Sequence, residues 1–261
     1  MITVCVPTCV RPDLMRVCIE TCQHYAPYPG IWFIVVNNGL PKDVVEQAVE
    51  GLEDVERFHN EKNEGVSCAI KQVLDHCNTE YFACVSDDVM FVPSGRNLWD
   101  EMLMVLENRS VGLVGPLSDG VLNCQRAAYV CDQPYLHASY LHGLFLLGRT
   151  EAWREVGGMD PELEGADEVD LGIRMMRAGY KMVINRRVYV HHDTSASLRT
   201  FTEAARKERH LKALAALLEK FSEEELYQPW TLPGYPSAPG YHPPERQSLE
   251  HPEHLFTALN L

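Results

Sequence analysis

Two adjacent aspartates, Asp87 and Asp88, follow a short apolar run and are the first residues in this chain that suggest chemistry. Neighbouring carboxylates repel each other and are costly to bury unless a cation or hydrogen-bond donors compensate them. Hard divalent ions such as Mg²⁺ and Mn²⁺ prefer carboxylate and phosphate oxygens, so one interpretation is a metal site that bridges the protein and a phosphate group. The alternative interpretation is a turn or a helix cap without a ligand.

Two more polar groups lie later in the chain. His191-His192-Asp193 follows a β-like run, and one of the two histidines could complete a metal site with Asp88; the alternative is an exposed surface pair. Six carboxylates also occur within eleven residues, namely Asp160, Glu162, Glu164, Asp167, Glu168 and Asp170. Such a run is explained either as a solvated helix start, which the helix dipole favours, or as the source of a general base.

The elements that must position these groups alternate in type. Four apolar β-like runs cover residues 2–6, 32–36, 55–58 and 81–85, with helical patterns between them. This alternation predicts an α/β fold with a mostly parallel sheet flanked by helices. Each run ends in polar or small residues: Pro7-Thr8, Asn37-Asn38, the segment 60–65, and Ser86-Asp87-Asp88. Because ligands bind at the carboxyl ends of parallel strands, we expect these clusters to meet at one edge of the sheet.

The second half of the chain is less regular. Residues 116–140 show no clear period and are predicted to form loops, whereas residues 167–178 have the pattern of a helix that ends at Gly179. An amphipathic helix is predicted over 200–221. Seven prolines follow among the last 34 residues, so a regular helix or strand is excluded from residue 228 onward.

Composition excludes several classes of protein. The net charge is −14, from 23 Lys and Arg against 37 Asp and Glu, which argues against a general nucleic-acid binder. Neither a P-loop nor a Gly-x-Gly-x-x-Gly segment is present. The nine cysteines include no Cys-x-x-Cys pair, which favours reduced, buried thiols over a zinc site. Because no apolar run approaches the ~20 residues of a spanning helix, we expect a cytoplasmic protein without a transmembrane segment.

A family resemblance is carried by seven short motifs in a fixed order. They are Val6-Pro7-Thr8 with Arg11, Val35-Val36-Asn37-Asn38-Gly39, Asn63-Glu64-Gly65, Ser86-Asp87-Asp88, Gly157-Gly158-Met159-Asp160, Asp167-Glu168-Val169-Asp170-Leu171 with Arg174, and Val190-His191. Together they resemble the inverting nucleotide-sugar glycosyltransferases of glycosyltransferase family 2, which have the Rossmann-like GT-A fold. The chain departs from the family pattern at Ser86 and Asn37, where the family has aspartates, and at Asp167-Glu168, where the family's Glu-Asp order is inverted.

The resemblance implies transfer of a sugar from a nucleotide diphosphate donor to an acceptor hydroxyl group, with inversion and with Mn²⁺ or Mg²⁺ as cofactor. It implies a metal site of Asp88, His191 and Asp87, and a carboxylate base for which we favour Asp167 over Glu168. The implied donor-binding residues are Pro7, Thr8, Arg11, Asn37, Asn38, Asn63, Gly65, Ser86 and Asp87. An amide at position 37 can still accept a hydrogen bond from a pyrimidine, which favours a UDP or dTDP sugar.

The implied organisation is a catalytic domain over 1–195, with a nucleotide-binding half over 1–115 and an acceptor-binding half over 116–195. A helical extension follows over 196–227, and a Pro-rich tail over 228–261. The expected acceptor site includes His142, Gly143 and Asp170. The acceptor itself stays open among a glycan, a lipid-linked glycan, a protein and a modified base.

Two alternative functions keep the fold and change the activity. A nucleotidyltransferase would make the activated sugar, but it usually carries a glycine-rich loop after the first strand, and residues 8–13 contain no glycine. A non-catalytic module that binds nucleotide sugars is supported by the departure at Ser86.

Overall fold

The computed structural model describes residues 1–119, 121, 125–128, 132–163, 165–193, 202–222 and 225–226. Within these residues, nine strands form one sheet and seven helices accompany it. The strands are β1 (Ile2–Thr8), β2 (Ile31–Asn38), β3 (Val55–Asn60), β4 (Tyr81–Val85), β5 (Val89–Phe91), β6 (Val111–Ser118), β7 (Tyr135–Ala138), β8 (Phe145–Arg149) and β9 (Lys181–His192). The helices are α1 (Pro12–Tyr25), α2 (Lys42–Val49), α3 (Val66–His76), α4 (Leu98–Leu106), α5 (Thr150–Glu155), α6 (Asp167–Arg177) and α7 (Glu203–Lys220).

The sheet has the order β3-β2-β1-β4-β8-β6-β9-β5, and β7 pairs with β9 off this path. The part built from β3, β2, β1 and β4 is entirely parallel, so the carboxyl ends of these strands lie at one edge. Beyond β4 the sheet is mixed: β8 is antiparallel to both of its neighbours, and β6 and β9 are parallel to each other. The predicted α/β fold class is confirmed.

Helices cover both faces of the sheet. One apolar core joins the strands to α1, α2 and α4, with Trp99 of α4 fully buried. The other joins them to α3, α5 and α6, with Trp153 of α5 fully buried. Strands that are covered on both faces must be apolar throughout, which is why β1 reads as a continuous apolar run.

A third apolar cluster attaches the C-terminal helix. Ala213, Leu217 and Phe221 are buried in it, together with Val169 and Ile173 of α6. The amphipathic pattern of α7 is therefore used against α6, in the half of the molecule that carries the acidic motif. No helix among the described residues is both long enough and apolar enough to cross a bilayer.

Two strands were not predicted from the sequence. The short β5 pairs antiparallel with the end of β9, and β7 lies inside the stretch 116–140 that was predicted to be loop. Both are short and depend on β9 as a partner, so local sequence says little about them. The β-like run before His191 belongs to the longer strand β9, which has an irregular register between the pairs Pro116–Asn185 and Leu117–Tyr189. The Pro-rich tail lies outside the described residues.

Candidate active site

The expected edge of the sheet is present. Thr8 at the end of β1 lies opposite Asn37 at the end of β2, and β4 runs beside β1 and ends directly before Ser86. The side chains of Thr8 and Asn37 are buried, whereas Arg11 is half-buried and pairs with Asp13 at 2.7 Å. The polar clusters of β1, β2 and β4 therefore converge, as their positions in the sequence predicted.

Asp87 and Asp88 are both buried, each about 6% exposed, at this edge. Burial, reinforced by the charge of Asp88, raises the pKa of Asp87 to about 7 against the opposing pull of Thr8. Burial also acts on Asp88, but hydrogen bonds from His192 and Ser86 outweigh it and hold the pKa of Asp88 below its usual value. The Ser86 hydroxyl group donates to Asp88 Oδ1 at 2.6 Å.

The histidine beside Asp88 is His192. Its Nε2 lies 3.1 Å from Asp88 Oδ1. The sequence led us to favour His191, but His191 Nδ1 contacts Asp119 Oδ2 at 2.6 Å instead. A period of two in β9 could have shown this, because Val188 and Val190 are buried and His192 follows on the same face of the strand.

The donor chemistry of this group fits a hard divalent ion. Among the residues that the structure describes, no three His, Cys, Asp or Glu side chains converge closely enough to hold a metal alone. One carboxylate and one imidazole, Asp88 and His192, are a partial ligand set of the kind that phosphate oxygens and water complete around Mg²⁺ or Mn²⁺. The adjacent buried carboxylate of Asp87, with its raised pKa, is a second group that a cation would compensate.

Asn37, which was predicted to read the donor base, is engaged by its own turn. Its Oδ1 accepts from the Leu40 N–H at 2.8 Å, and its Nδ2 donates to the Leu40 carbonyl at 2.9 Å. The same Nδ2 lies 3.1 Å from His59 Nδ1. The amide is 1% exposed, so both of its polar atoms are used within the protein.

Asn38 joins the loop after β2 to the loop after β3. Its Nδ2 donates to Asn63 Oδ1 at 2.9 Å and to the Gly65 carbonyl at 3.1 Å. Its Oδ1 accepts from Asn60 Nδ2 and from the Glu64 N–H, both at 3.1 Å. These loops approach so closely that a Cβ atom on Gly39 would lie 2.7 Å from the Asn63 nitrogen. The predicted donor residues Asn38, Asn63 and Gly65 thus form one hydrogen-bonded unit.

The acidic motif opens α6, and its two predicted catalytic residues have different environments. Asp167 is 7% exposed, and its Oδ2 accepts from the Ser67 hydroxyl group at 2.7 Å. Glu168 is half-buried, and its Oε1 accepts from the Gly143 N–H at 3.2 Å. Asp167 is the first residue of α6, and Ala166 is the N-cap, in a left-handed conformation with φ of 55°.

The charge of Glu168 acts on the protonation of Asp167. Burial raises the pKa of Asp167 to about 7, and the charge of Glu168 contributes, while Ser67 opposes the change. The raised proton affinity therefore belongs to Asp167. A carboxylate with a raised pKa at the edge of a site is suited to take up a proton.

The three predicted acceptor residues are placed differently. The Gly143 N–H binds Glu168, so this residue lies beside the acidic pair. The neighbouring His142 has a buried Nε2 without a hydrogen-bond partner, and burial together with the charge of His192 lowers the pKa of His142 to about 4. His142 is thus next in the chain to the residue that binds Glu168, and it is close enough to His192 for their charges to interact. Asp170 is fully buried and forms ion pairs with Arg174 and Lys220. Its position in the interior indicates a structural role.

Sequence reasoning did not single out Ser67 or Lys220. Ser67 lies two residues after the end of the Asn63-Glu64-Gly65 motif. Its bond to Asp167 joins positions 100 residues apart, and no local pattern reports such a contact. Lys220 is one of several cations in α7, and its sequence context does not distinguish it from the others.

The chain is similar to known glycosyltransferases in sequence and in fold. Residues 3–103 match the sequence model of Glycosyl transferase family 2. Over 189 residues the chain is 28% identical to the pre-mycofactocin glycosyltransferase of two strains of Mycobacterium tuberculosis. The matched segment covers 65% of this chain and 39% of that protein. The chain therefore spans about two fifths of the length of these relatives.

Two solved structures share the fold. One is the mannosyltransferase PcManGT from Pyrobaculum calidifontis in complex with GDP-Man and Mn²⁺, with a TM-score of 0.62 and 16% identity over 86% of this chain and 76% of that chain. The other is GalNAc-T7 with UDP, GalNAc and Mn²⁺, with a TM-score of 0.60 and 14% identity over 74% of this chain and 43% of that chain. The chain has the GT-A fold of glycosyltransferases and resembles family 2, as its sequence motifs predicted.

Proposed function

We propose that this chain is a metal-dependent glycosyltransferase that moves a sugar from a nucleotide diphosphate donor to an acceptor hydroxyl group with inversion. The observation that carries this proposal is the presence of two separate acidic groups along one face of a GT-A fold. One group pairs Asp88 with His192, and the other pairs Asp167 with Glu168. Sugar transfer needs both, because one oxygen loses a proton while another leaves with negative charge.

Asp88 and His192 would hold the divalent ion, which supplies positive charge for the departing diphosphate. Ser86 orients Asp88 through its hydroxyl group and so takes over part of the role of the family's first aspartate. This bond weakens the case for a non-catalytic module, which rested on the departure at Ser86. Thr8 and Asp87, next to this group, would contact the nucleoside or support the metal.

Glu168 is our choice for the base, in place of Asp167. Asp167 is almost fully buried, and one of its oxygens is held by Ser67. Glu168 is more exposed and is bonded by the Gly143 N–H at the rim of the site. A base must reach the acceptor hydroxyl group, and this requirement favours Glu168. Asp167 would then be a buried neighbour of the base, held by the Ser67 hydroxyl group.

The donor that we propose to test first is the UDP or dTDP sugar that the sequence favoured, although the Asn37 amide behind that preference is bonded within its own turn. The two solved neighbours hold GDP-Man and UDP, so the fold alone does not select a base. Asn37 uses its amide within the turn, and we therefore expect weaker discrimination among nucleobases than an aspartate at that position would give. The acceptor is left open among a glycan, a lipid-linked glycan, a protein and a modified base.

The test is donor hydrolysis without an acceptor, measured for UDP, dTDP and GDP sugars with Mn²⁺, with Mg²⁺ and with EDTA. We expect metal-dependent release of the nucleotide from a uridine or thymidine donor. The first sugar product, observed by NMR, should have the opposite anomeric configuration to the donor. Donor binding in thermal shift without turnover would support a non-catalytic module, and selective binding of a guanosine donor would contradict the donor assignment.

A further inference from the structure

The acidic first turn of α6 contains a third carboxylate, Asp170, which the proposed chemistry does not use. It is fully buried one turn after Asp167. Its Oδ2 accepts from Arg174 Nε at 2.8 Å, and its Oδ1 accepts from Lys220 Nζ. A buried carboxylate is costly unless cations and hydrogen bonds surround it, and here it has two cations.

Lys220 joins segments that are distant in sequence. It lies at the end of α7, fifty residues after Asp170, and its Nζ also bonds Asp160 Oδ2 at 2.6 Å. Asp160 follows the Gly157-Gly158 turn, and Arg174 extends the same network by donating to the Val156 carbonyl. One lysine thus joins α7, the glycine turn and the first turn of α6.

We propose that Lys220 is a positioning residue for Glu168, so that α7 belongs to the catalytic unit. This inference rests on the proposed function for its kinetic part. α6 begins at Ala166, whose backbone carbonyl accepts from the N–H groups of Val169 and Asp170. By holding Asp170, Lys220 fixes this first turn and with it the distance of Glu168 from the Gly143 N–H. The apolar contact of Leu217 and Phe221 with α6 brings the lysine to the required place.

The kinetic experiment compares K220M with K220R and with K212M. We expect K220M to lower kcat about 10- to 100-fold at unchanged donor KM, because small misplacements of a reacting group cost rate rather than donor affinity. K220R keeps a cation and should restore most of the rate. K212M is the matched control, since Lys212 is exposed on the same helix and pairs only with Glu208 among the contacts described for its side chain, at 3.0 Å.

A second readout does not depend on turnover. Hydrogen exchange at the amides of Val169 and Asp170, which bond to the Ala166 carbonyl, should be faster in K220M and unchanged in K212M. If K220M does not fold, the double variant D170N/K220M removes the unpaired buried charge; it should fold, exchange faster at these amides and keep the low kcat.

Each outcome bears on the proposal. Wild-type kcat per folded molecule in K220M, a matching rise in donor KM, or no rescue by K220R would each overturn it. Unchanged exchange at Val169 and Asp170 would overturn it as well. If the wild-type protein turns over no donor while exchange responds as expected, the proposed function fails and the link between α7 and α6 stands.

Discussion

Two polar regions of this molecule have opposite properties. Around Asn37 and Asn38, neutral amides are buried and their polar atoms are bonded to other protein groups. Around Asp167 and Glu168, a buried and a half-buried carboxyl group lie next to each other, and the pKa of Asp167 is raised to about 7. Both regions occur in family motifs, and both look equally polar in the sequence.

The amide region therefore has a structural role, and the carboxylate region has a chemical one. A satisfied amide network stabilises loops and has no tendency to exchange protons. Two adjacent carboxylates with too few hydrogen-bond donors or cations around them destabilise the protein. Binding of a proton or a cation removes this destabilisation. Substitutions in the amide region should therefore change stability, and substitutions among the carboxylates should change rate.

The largest effect is expected for Asp88→Ala. Loss of the metal-binding carboxylate should lower donor turnover by about 10³-fold or more, because a bound metal contributes several kcal/mol and each 1.36 kcal/mol is tenfold. The fold should stay intact, since Asp88 contributes no apolar packing. Turnover measured with and without EDTA checks this, and near-normal turnover of the variant in EDTA would remove the metal from the proposal. His192→Ala should reduce metal dependence more than His191→Ala, the reverse of the prediction from sequence.

The next effect distinguishes the two members of the acidic pair. Glu168→Gln should lower kcat by about 10²–10⁴-fold with donor affinity preserved, the usual contribution of a general base. Asp167→Asn should have a smaller effect, because Asp167 is almost fully buried and does not reach the acceptor hydroxyl group. Steady-state kinetics with a fixed donor provides the measurement. The opposite ranking of the two variants would restore Asp167 as the base.

A moderate effect, on stability alone, is expected for Asn38→Ala. The substitution leaves several buried partners unsatisfied, and the free energy of unfolding should fall by about 2–4 kcal/mol. The rate per folded molecule should stay within about threefold of wild type, a small change on the scale of 1.36 kcal/mol per tenfold. Urea denaturation and activity at low temperature test both parts, with Asn78→Ala at an exposed position as the control. A large loss of kcat in the folded variant would break the distinction between the two regions.

The smallest effect is a shift along the pH axis for Ser67→Ala. The Ser67 hydroxyl group donates to the charged form of Asp167 and so lowers its pKa. Without it Asp167 stays protonated to higher pH, and the limb of the pH–rate profile that reports Asp167 should move up by about one unit, or 1.36 kcal/mol. The rate at the alkaline plateau should be unchanged, and Ser94→Ala, at an exposed residue, should leave the whole profile in place. A downward shift of the limb would contradict the direction of this bond's effect.

Features that depend on local sequence could be predicted, whereas contacts between segments distant in sequence could not. The apolar runs of β1, β2 and β4 are buried on both faces, so their ends and the polar residues there were predictable. The position of His192 was also available from alternation in β9. The bond from Ser67 to Asp167 was not predictable, because it depends on how two helices pack in three dimensions. The same holds for β7, which is a strand because β9 offers it a partner.

The contact between the loops after β2 and β3 has a consequence for the thermodynamics of ligand entry. Asn38 and the close approach at Gly39 order both loops when the chain folds. A ligand that enters this edge therefore meets preorganised loops, and the loss of their conformational entropy does not reduce its affinity. Loosening either loop would transfer that entropy loss from folding to binding, so affinity would fall even though every contact with the ligand was retained.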